Sequence, residues 1–411
     1  MPFNSFKLIC YLALILSATS FRLAHAATYR VTVAAGQWQR QQSVVTFDLP
    51  AAAHAYNGLR EANGKTIPLQ VDAHGHASFI LNNLAPGATR MYELVKNNAA
   101  EAADGVQVKR NGDVLKATVG GRPVMEYEGG AGILPRPDIK PIYKRGGIIH
   151  PILSPSGKLV SDSYAPNHLH HHGVWFSWTK TEFEGRHPDF WNIGDGTGTV
   201  EFVALDDVWS GEVQGGFASR HCYVDLTTPK HKVALNETWQ VTIYHVDDTP
   251  NAGNKPYWMF DLVVSQECAS DSPLKLPKYH YGGLGFRGNR AWDGKDNTFF
   301  LTSEGETDRV KGNETRGRWC HIGGKVDGEL TGIAILCHPD NFRAPQPMRL
   351  HPTEPFFCYA PSQGGDWEIA LGKPYTSRYR FIVQDGAPDK SELDRLWNDY
   401  AHPPEVKVEA Q

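Results

Sequence analysis

Residues 237–244 alternate polar and apolar side chains along the chain: Glu237-Thr238-Trp239-Gln240-Val241-Thr242-Ile243-Tyr244. Successive side chains of a β-strand point to opposite faces of a sheet, so this pattern predicts a strand with one face in a core. Short alternating segments bounded by turn residues recur on both sides of it, at 199–205, 211–217, 220–226, 258–264, 330–336 and 375–383. Many such strands at regular spacing are typical of a large antiparallel β-sandwich, and not of alternating β–α–β units.

Strand-like segments continue towards the N-terminus and indicate a second, smaller β domain. They lie at 29–33, 43–47, 77–81 and 90–95, and again at 106–110, 114–119 and 123–127. Small and polar residues at 99–104 separate the two groups and are suited to a linker or a helical turn. We therefore predict an all-β protein, with a small N-terminal β domain at 27–104 and a large β-sandwich domain at 105–400.

The C-terminal part contains the one segment with a firm helical pattern. In residues 390–400 the large apolar side chains fall on one helical face: Leu393, Leu396, Trp397 and Tyr400. Asp389 or Ser391 can cap the first turn. We predict one C-terminal helix there, followed after Pro403 and Pro404 by a flexible tail at 401–411.

The first 26 residues have the composition of a secretory signal peptide. Lys7 supplies a positive charge, residues 8–16 are an apolar run, and Ala24-His25-Ala26 is a small-x-small cleavage site. This apolar run is shorter than the roughly 20 residues of a membrane-spanning helix, and no later segment approaches that length. We expect cleavage after Ala26, no membrane span, and a location in the periplasm or outside the cell.

Composition narrows the classes of partner. The formal net charge is −4 and basic residues do not gather into runs, which argues against nucleic acid. Aromatic residues make up 11 % of the chain, and several Trp and Tyr stand beside polar turn residues, as in sites that pack a ring against a sugar. No nucleophile elbow, zincin, Walker or dinucleotide motif is present, which disfavours serine hydrolases, zincins, kinases and nicotinamide dehydrogenases.

The sharpest chemical signal is the run His168-Leu169-His170-His171-His172. In an extended chain, His168, His170 and His172 would share one face and His171 the other. A row of imidazoles is unfavourable in an apolar core and is suited to proton transfer near neutral pH. We therefore predict His170, His171 and His172 as catalytic. A metal could also bind such a row, but no carboxylate has a suitable spacing, so we predict no metal and no other cofactor.

Two further polar segments complete the predicted site. His280, in the glycine-rich segment 278–287, and Glu354 are the predicted catalytic complements of the histidines. The predicted substrate-binding residues are Trp175, Trp191, Tyr279, Arg287, Asn341, Arg343 and Arg349. Each segment combines ionisable side chains with glycine or proline, so we predict that 168–172, His280 and 338–354 converge on one concave pocket.

The histidine motif resembles that of the bacterial PmoA-like family, whose members carry a "methane oxygenase PmoA" domain. The likeness rests on 148–151, 168–176, 338–341, 378–381 and 385–386, and it covers roughly 105–400. It implies a periplasmic protein of carbohydrate degradation, with His170 and His171 in the site. Such a layout would be similar to the supersandwich of sugar mutarotases and some polysaccharide lyases.

These observations predict a periplasmic or secreted carbohydrate-active enzyme with histidine-centred acid–base catalysis. Glycoside cleavage, elimination and epimerisation stay open, and the partner is a saccharide or oligosaccharide. One alternative is a non-catalytic glycan-binding protein. The other is a histidine-ligated, metal-dependent oxygenase.

Overall fold

The computed structural model describes residues 28–97, 105–130, 132, 134–246 and 255–411. The predicted signal peptide and the predicted linker at 99–104 lie outside these ranges. None of the helices within them is long and apolar enough to cross a membrane.

Within these ranges strands are the dominant regular structure, with about 50% of residues in strands and 9% in helices. The first group is β1 (Tyr29–Ala34), β2 (Ser43–Asp48), β3 (Gly58–Arg60), β4 (Thr66–Pro68), β5 (Gln70–Val71), β6 (His76–Leu81) and β7 (Thr89–Val95). The second is β8 (Val106–Asn111), β9 (Val114–Val119), β10 (Arg122–Glu128), β11 (Ile148–Ile152), β12 (Val174–Ser177), β13 (Gly198–Trp209), β14 (Gln214–Asp225), β15 (Lys232–Tyr244) and β16 (Tyr257–Cys268). The third is β17 (Leu274–Leu276), β18 (Gly283–Arg287), β19 (Thr298–Thr302), β20 (Trp319–Val326), β21 (Glu329–Cys337), β22 (Met348–Leu350), β23 (Phe356–Tyr359), β24 (Trp367–Ile369), β25 (Tyr375–Asp385) and β26 (Glu405–Ala410). The α-helices are α1 (Arg309–Gly312) and α2 (Lys390–Ala401).

The large domain is a sandwich of two eight-stranded sheets, as the alternating pattern predicts. One sheet has the order β22-β23-β18-β12-β11-β10-β9-β8, and the other has the order β13-β14-β15-β16-β25-β21-β20-β19. In β15, Trp239, Val241 and Ile243 are buried in the core between the sheets, while Thr238 and Gln240 are exposed. The all-β prediction is confirmed. The two strands predicted at 211–217 and 220–226 are one continuous strand, β14.

A polar network is buried inside this sandwich. The Glu237 side chain points inward with Trp239, and its carboxylate accepts hydrogen bonds from His221 Nδ1 at 3.0 Å, Tyr223 Oη at 3.0 Å and Gln266 Nε2 at 2.7 Å. The other nitrogen of His221 lies 2.7 Å from Tyr127 Oη. The carboxylate is therefore satisfied by three donors, which is the condition for burying a charge in a core.

The small domain is formed by both ends of the chain. Its sheets have the orders β26-β1-β7-β3-β4 and β2-β6-β5. Strand β26 pairs antiparallel with β1, from Tyr29 opposite Ala410 to Ala34 opposite Glu405. The prediction of a flexible tail at 401–411 is wrong, because Val406 and Val408 pack against the small-domain core and the backbone completes an edge of its sheet.

Helix α2 joins the two domains, and its prediction is confirmed. The Asp389 side chain accepts hydrogen bonds from the amides of Ser391 and Glu392 and caps the first turn. Leu393 and Leu396 are buried in a cluster that also contains Val44 of the small domain. Near the end of the helix, the Asp399 carboxylate pairs with Arg40 Nη1 at 2.9 Å, and both side chains are buried.

The outer face of the first sheet, opposite the sandwich core, carries the polar segments singled out in the sequence. In one cross-strand row, Trp175 of β12 lies opposite Gly285 of β18, Gly285 opposite Cys358 of β23, and Cys358 opposite Arg349 of β22. A methyl group added at Gly285 would lie 2.7 Å from the Trp175 indole, so this glycine lets the ring lie across β18. Gly285 therefore leaves room for a neighbouring side chain.

Candidate functional site

The histidine segment forms turns over the outer face of the sheet, so the extended geometry expected for 168–172 is wrong. The His168 amide donates to the Ala165 carbonyl at 2.9 Å, and the His171 amide donates to the His168 carbonyl at 2.9 Å. Strand β12 begins only at Val174. Because the backbone turns, His168 and His171 lie on the same side instead of on opposite faces.

Four imidazoles gather around one stack of rings, which we call the imidazole cluster: His168, His170, His171 and His351. The His171 ring is stacked between His168 and Phe356, with both centroid distances at 4.6 Å. The His170 ring meets His171 edge-on at 4.7 Å, and the His351 ring meets His168 edge-on at 5.8 Å. His351 belongs to the segment 349–354 and was not among the predicted catalytic residues.

Burial keeps these imidazoles uncharged at neutral pH. It lowers the pKa of His170 to about 4, with a further contribution from His168, and the pKa of His351 to about 4, with a further contribution from Arg349. Burial holds the pKa values of His171 and His172 well below the usual imidazole range, because both side chains are enclosed. His168 is half-buried, and burial followed by the charge of Arg287 lowers its pKa. Neutral imidazoles can accept protons.

Next to these rings, Arg287 holds two carboxylates, and we call these three residues the arginine cluster. The Arg287 side chain is fully buried, and its Nη2 donates to Asp293 Oδ1 at 2.5 Å and to Glu354 Oε2 at 2.9 Å. The Nε and Nη1 atoms of Arg287 have no hydrogen-bond partner among the described residues. Glu354 therefore pairs with Arg287, and not with a histidine as predicted.

The two carboxylates of the arginine cluster have opposite pKa shifts. Burial raises the pKa of Asp293 more than Arg287 lowers it, and the neighbouring Glu354 raises it further. Burial also acts on Glu354, but a hydrogen bond from Asn167 and the charge of Arg287 together lower the pKa of this carboxyl group. Sequence reasoning missed Asp293, because a single carboxylate in a loop carries no signal of its own until Arg287 is seen beside it.

Trp175 and Trp191 form the floor of the site. Both indoles are buried, with centroids 5.0 Å apart, and Trp191 packs against Tyr281 at 5.4 Å. Neither ring face is open, so they do not form the exposed stacking surface that the sequence predicted. The reason is that Phe356 and the imidazole of His171 cover them. His172 is buried as well, with Nδ1 2.8 Å from Ser163 Oγ, so the structure places it below the cluster instead of at its rim.

The structure brings 349–354 beside the histidine run, where His351 contacts His168, but does not bring 338–345 there, and the convergence on one concave pocket stays a prediction. Asn341 bonds the backbone of Arg378 through both atoms of its amide, with distances of 2.8 and 2.7 Å. The Arg343 Nη1 atom donates to the carbonyls of Pro361 and Gly365, both at 2.8 Å. These side chains brace loops, so the structure leaves neither of them in contact with the imidazole cluster.

Arg349 connects the imidazole cluster to a groove beside it. It bonds the Asn313 side chain at 3.0 Å, and its charge contributes, after burial, to the lowered pKa of both His351 and His280. The groove consists of two cavities that share Lys278 and Tyr279. Cavity A has a volume of about 460 Å³, and its lining includes His280, Glu314, Arg316 and Gln363. Cavity B has a volume of about 450 Å³, and its lining includes Lys180, His187, Asp189 and Asp195.

Within the described ranges, no group of three or more His, Cys, Asp or Glu side chains is arranged to hold a metal ion. The imidazoles of the cluster contact one another as stacked or edge-on rings.

Comparison with solved structures finds remote likenesses. A protein of glycosyl hydrolase family 38 from Enterococcus faecalis is 9% identical over 94% of this chain and 48% of its own, with a TM-score of 0.41. An alpha-mannosidase from Enterococcus faecalis V583 is 10% identical over 94% of this chain and 46% of its own, with a TM-score of 0.42. This chain spans about half the length of either protein, and likenesses at this level establish no shared activity.

Comparison with curated proteins gives no match. Residues 115–398 match a family of unknown function, and no PmoA-like domain is found. The resemblance inferred from the histidine motif is therefore wrong, because a short motif is weaker grounds than a match over most of the large domain. The chain belongs to the family of unknown function DUF6807.

Proposed function

We propose that the protein is a carbohydrate-active enzyme that works outside the cytoplasm and whose reaction centre is the arginine cluster with the adjoining imidazole cluster. The observation that carries the proposal is the pair Asp293 and Glu354 on one nitrogen of Arg287, with pKa values moved in opposite directions. Neighbouring acids whose pKa values are pushed apart are typical of an acid and a base in catalysis. The signal-peptide pattern of the first 26 residues supports the location.

Each group then has a role that follows from its charge. Glu354 is held as a carboxylate and can accept a proton, as can the half-buried neutral imidazoles of His168 and His351. Asp293 accepts a hydrogen bond from the same guanidinium nitrogen and is the second carboxyl group that can exchange a proton with the substrate. The Arg287 guanidinium lies between the carboxylates and stabilises negative charge that develops on the substrate.

The spacing of the carboxylates favours proton transfer at carbon over hydrolysis by two separated acids. Glycosidases keep their two carboxyl groups about 5 to 9.5 Å apart, on either side of the bond that breaks. Here both carboxylates accept a hydrogen bond from the same atom, Arg287 Nη2. Elimination or epimerisation of a sugar needs a base and an acid close to one carbon, which matches this arrangement.

A saccharide is supported by the groove beside the cluster. Both cavities fall within the roughly 300–1,000 Å³ of ligand sites. They combine the half-buried aromatic ring of Tyr279 with charged and amide side chains. The Tyr279 and Tyr281 ring centroids lie 4.9 Å apart. Tyr281 in turn packs against Trp191, and Trp191 packs against His171. An aromatic surface with convergent polar groups suits the mixed apolar and hydroxylated faces of a sugar.

The test is turnover of an oligosaccharide panel in heavy water, followed by mass spectrometry. Elimination leaves an unsaturated sugar, epimerisation leaves the mass unchanged except for deuterium taken up at carbon, and hydrolysis adds one water. We expect Glu354→Gln and Asp293→Asn each to lower kcat by about 10²-fold or more, the usual contribution of an acid or base. Asp296→Asn is the matched control, since Asp296 lies in the same loop with its side chain 83% exposed.

Two results would overturn the proposal. Unchanged turnover in both variants would remove the arginine cluster from the reaction. Saccharide binding without any turnover by the unaltered protein would favour a non-catalytic glycan-binding protein instead.

A further inference from the structure

We infer that the substrate is an oligosaccharide containing uronate, with its carboxylate bound in cavity A and its chain continuing past Tyr279 into cavity B. This inference rests on the proposed function and names the substrate class of that site. The supporting observations are the charges of the residues that line cavity A and the presence of Lys278 and Tyr279 in the lining of both cavities.

Cavity A presents two cations that have no ion-pair partner. Among the described residues, neither Lys278 nor Arg316 has a carboxylate within ion-pair distance, although Arg316 Nη1 donates to the carbonyls of Arg343 and Pro345 at 2.6 and 2.8 Å. The remaining charged lining residue is Glu314. Arg349, whose bond is to the neutral amide of Asn313, adds a further positive charge nearby. The excess of positive charge suits a carboxylate of the ligand.

Cavity B has balanced charges and suits a neutral sugar unit. Its lining includes two lysines, Lys180 and Lys278, and two aspartates, Asp189 and Asp195. The Asp189 carboxylate is already occupied by internal bonds, because Oδ1 accepts from the amides of Trp191 and Asn192, and Oδ2 accepts from Thr179 Oγ1 and Asn192 Nδ2. The Asp189 carboxylate is therefore held within its own loop and does not need a charged partner from the ligand.

Tyr279 stands between the two cavities and belongs to the lining of both. Its ring is supported by His280 at 4.3 Å and by Tyr281 at 4.9 Å, so its position is held by neighbouring rings. Lys180 Nζ lies 5.7 Å from the ring centroid on the cavity B side. A ligand that occupies both cavities must pass this ring, which requires more than one sugar unit.

Uronate is also a substrate class on which the proposed proton transfer at carbon can act. A C–H next to a carboxylate is more acidic than other C–H bonds of a sugar once the carboxylate is neutralised by cations. Abstraction of that proton leaves an electron pair, which either expels the oxygen substituent at the next carbon or takes a proton back on the other face. Both outcomes use a base and an acid, and neither needs an oxidant or a further reactant.

The experiment measures binding by calorimetry for galacturonate oligomers of one to four units and for neutral glucose oligomers of the same lengths. The Glu354→Gln protein is used so that turnover does not interfere. We expect affinity for galacturonates to rise from the monomer to the trimer, and to exceed that for the neutral series by about tenfold, one charge-assisted bond being worth roughly that much. Rising salt should weaken binding of the acidic series alone.

Three variants localise the ligand. Lys278→Ala and Arg316→Ala should each weaken galacturonate trimer binding by about tenfold while changing neutral oligomers little. Tyr279→Ala should weaken the trimer but not the monomer. Lys373→Ala, at an exposed lysine outside both cavities, is the matched control and should bind as the parent does.

The outcomes separate this inference from the proposed function. Equal affinity for monomer and trimer, or equal loss for acidic and neutral oligomers in Arg316→Ala, would overturn the inference. Turnover of a purely neutral oligosaccharide through Glu354 would also overturn it, while leaving the proposed function intact. Tight galacturonate binding with no turnover by the unaltered protein would support uronate binding in the two cavities and contradict the proposed enzymatic function.

Discussion

The Arg287 guanidinium forms ion pairs with both Asp293 and Glu354, and its positive charge offsets the negative charge of these carboxylates. A buried charge whose partner is removed destabilises a protein by about 3–5 kcal/mol. Measuring unfolding directly therefore separates the contribution of Arg287 to stability from its contribution to catalysis.

For Arg287→Met we expect a loss of about 3 kcal/mol in the free energy of unfolding, measured by urea titration, because two carboxylates are left facing each other. The triple variant Arg287→Met, Asp293→Asn, Glu354→Gln should recover much of this loss. Arg290→Met is the control, since the pair of Arg290 with Asp162 involves a guanidinium that is 48% exposed and should contribute less than about 1 kcal/mol. Equal losses for Arg287→Met and Arg290→Met would contradict the argument.

The buried histidines make stability depend on pH. The pKa of His170 is lowered to about 4, and those of His171 and His172 are held well below their usual range, whereas each titrates near 6.5 when unfolded. Between pH 6.5 and pH 4 the unfolded chain binds protons that the native state does not. The stability from these groups is therefore complete above pH 6.5 and is lost as the pH falls through this window.

We expect each of these three histidines to contribute up to about 1.4 kcal/mol per pH unit to that slope. Chemical unfolding measured from pH 7 to pH 4 gives the total, and His170→Asn should make the slope shallower by about one proton. His74→Asn, at an exposed histidine of the small domain, should leave the slope unchanged. A parent protein whose stability is flat across this range would show that the buried rings are not neutral in the native state.

At the scale of elements, the outer face of the first sheet depends on the close crossing of the Trp175 side chain over β18. A methyl group at Gly285 would lie 2.7 to 2.9 Å from three atoms of the indole. The ring is held on its other side by Trp191 and His171, so it cannot move away easily.

For Gly285→Ala we expect a loss of about 1–3 kcal/mol in unfolding free energy, the usual effect of overpacking, together with reduced turnover because the floor of the imidazole cluster shifts. Differential scanning calorimetry and the turnover assay measure the two effects. Gly130→Ala is the control, since a methyl group there would meet only the Asp113 side chain. Wild-type stability in Gly285→Ala would mean that Trp175 can repack and does not fix the floor.

At the scale of the whole molecule, the two ends of the chain meet in the small domain. Strand β26 covers the edge of β1, while helix α2, immediately before it, is anchored to the large domain through Leu393 and Leu396. The C-terminal residues therefore link the stability of the two domains.

Deletion of residues 403–411 should expose the β1 edge and lower the stability of the small domain while sparing the large one. Hydrogen exchange read by mass spectrometry should show faster exchange in β1 and little change in β15. The double variant Lys407→Ala, Glu409→Ala is the control, because it removes only an exposed ion pair and keeps the strand pairing. Unchanged protection of β1 in the deletion would show that β26 does not support the sheet.

The sequence by itself determined the fold class and helix α2. Alternation of side chains, as in Trp239, Val241 and Ile243, is a local property of the chain, and so is the capped apolar face that Leu393 and Leu396 share. It also marked the segments of the candidate site, since His168, His171, Arg287 and Glu354 all lie in segments whose composition predicts chemistry.

Only the tertiary structure decided which of these residues meet. The stack of His168, His171 and Phe356, the partnership of Asp293 with Glu354, the inward Glu237 and the pairing of β26 with β1 all join residues far apart in the chain. Asn341 and Arg343 match the composition of a site and nevertheless brace loops. The physical reason is that strand order and loop packing set these distances, and no short-range pattern of residue types encodes them.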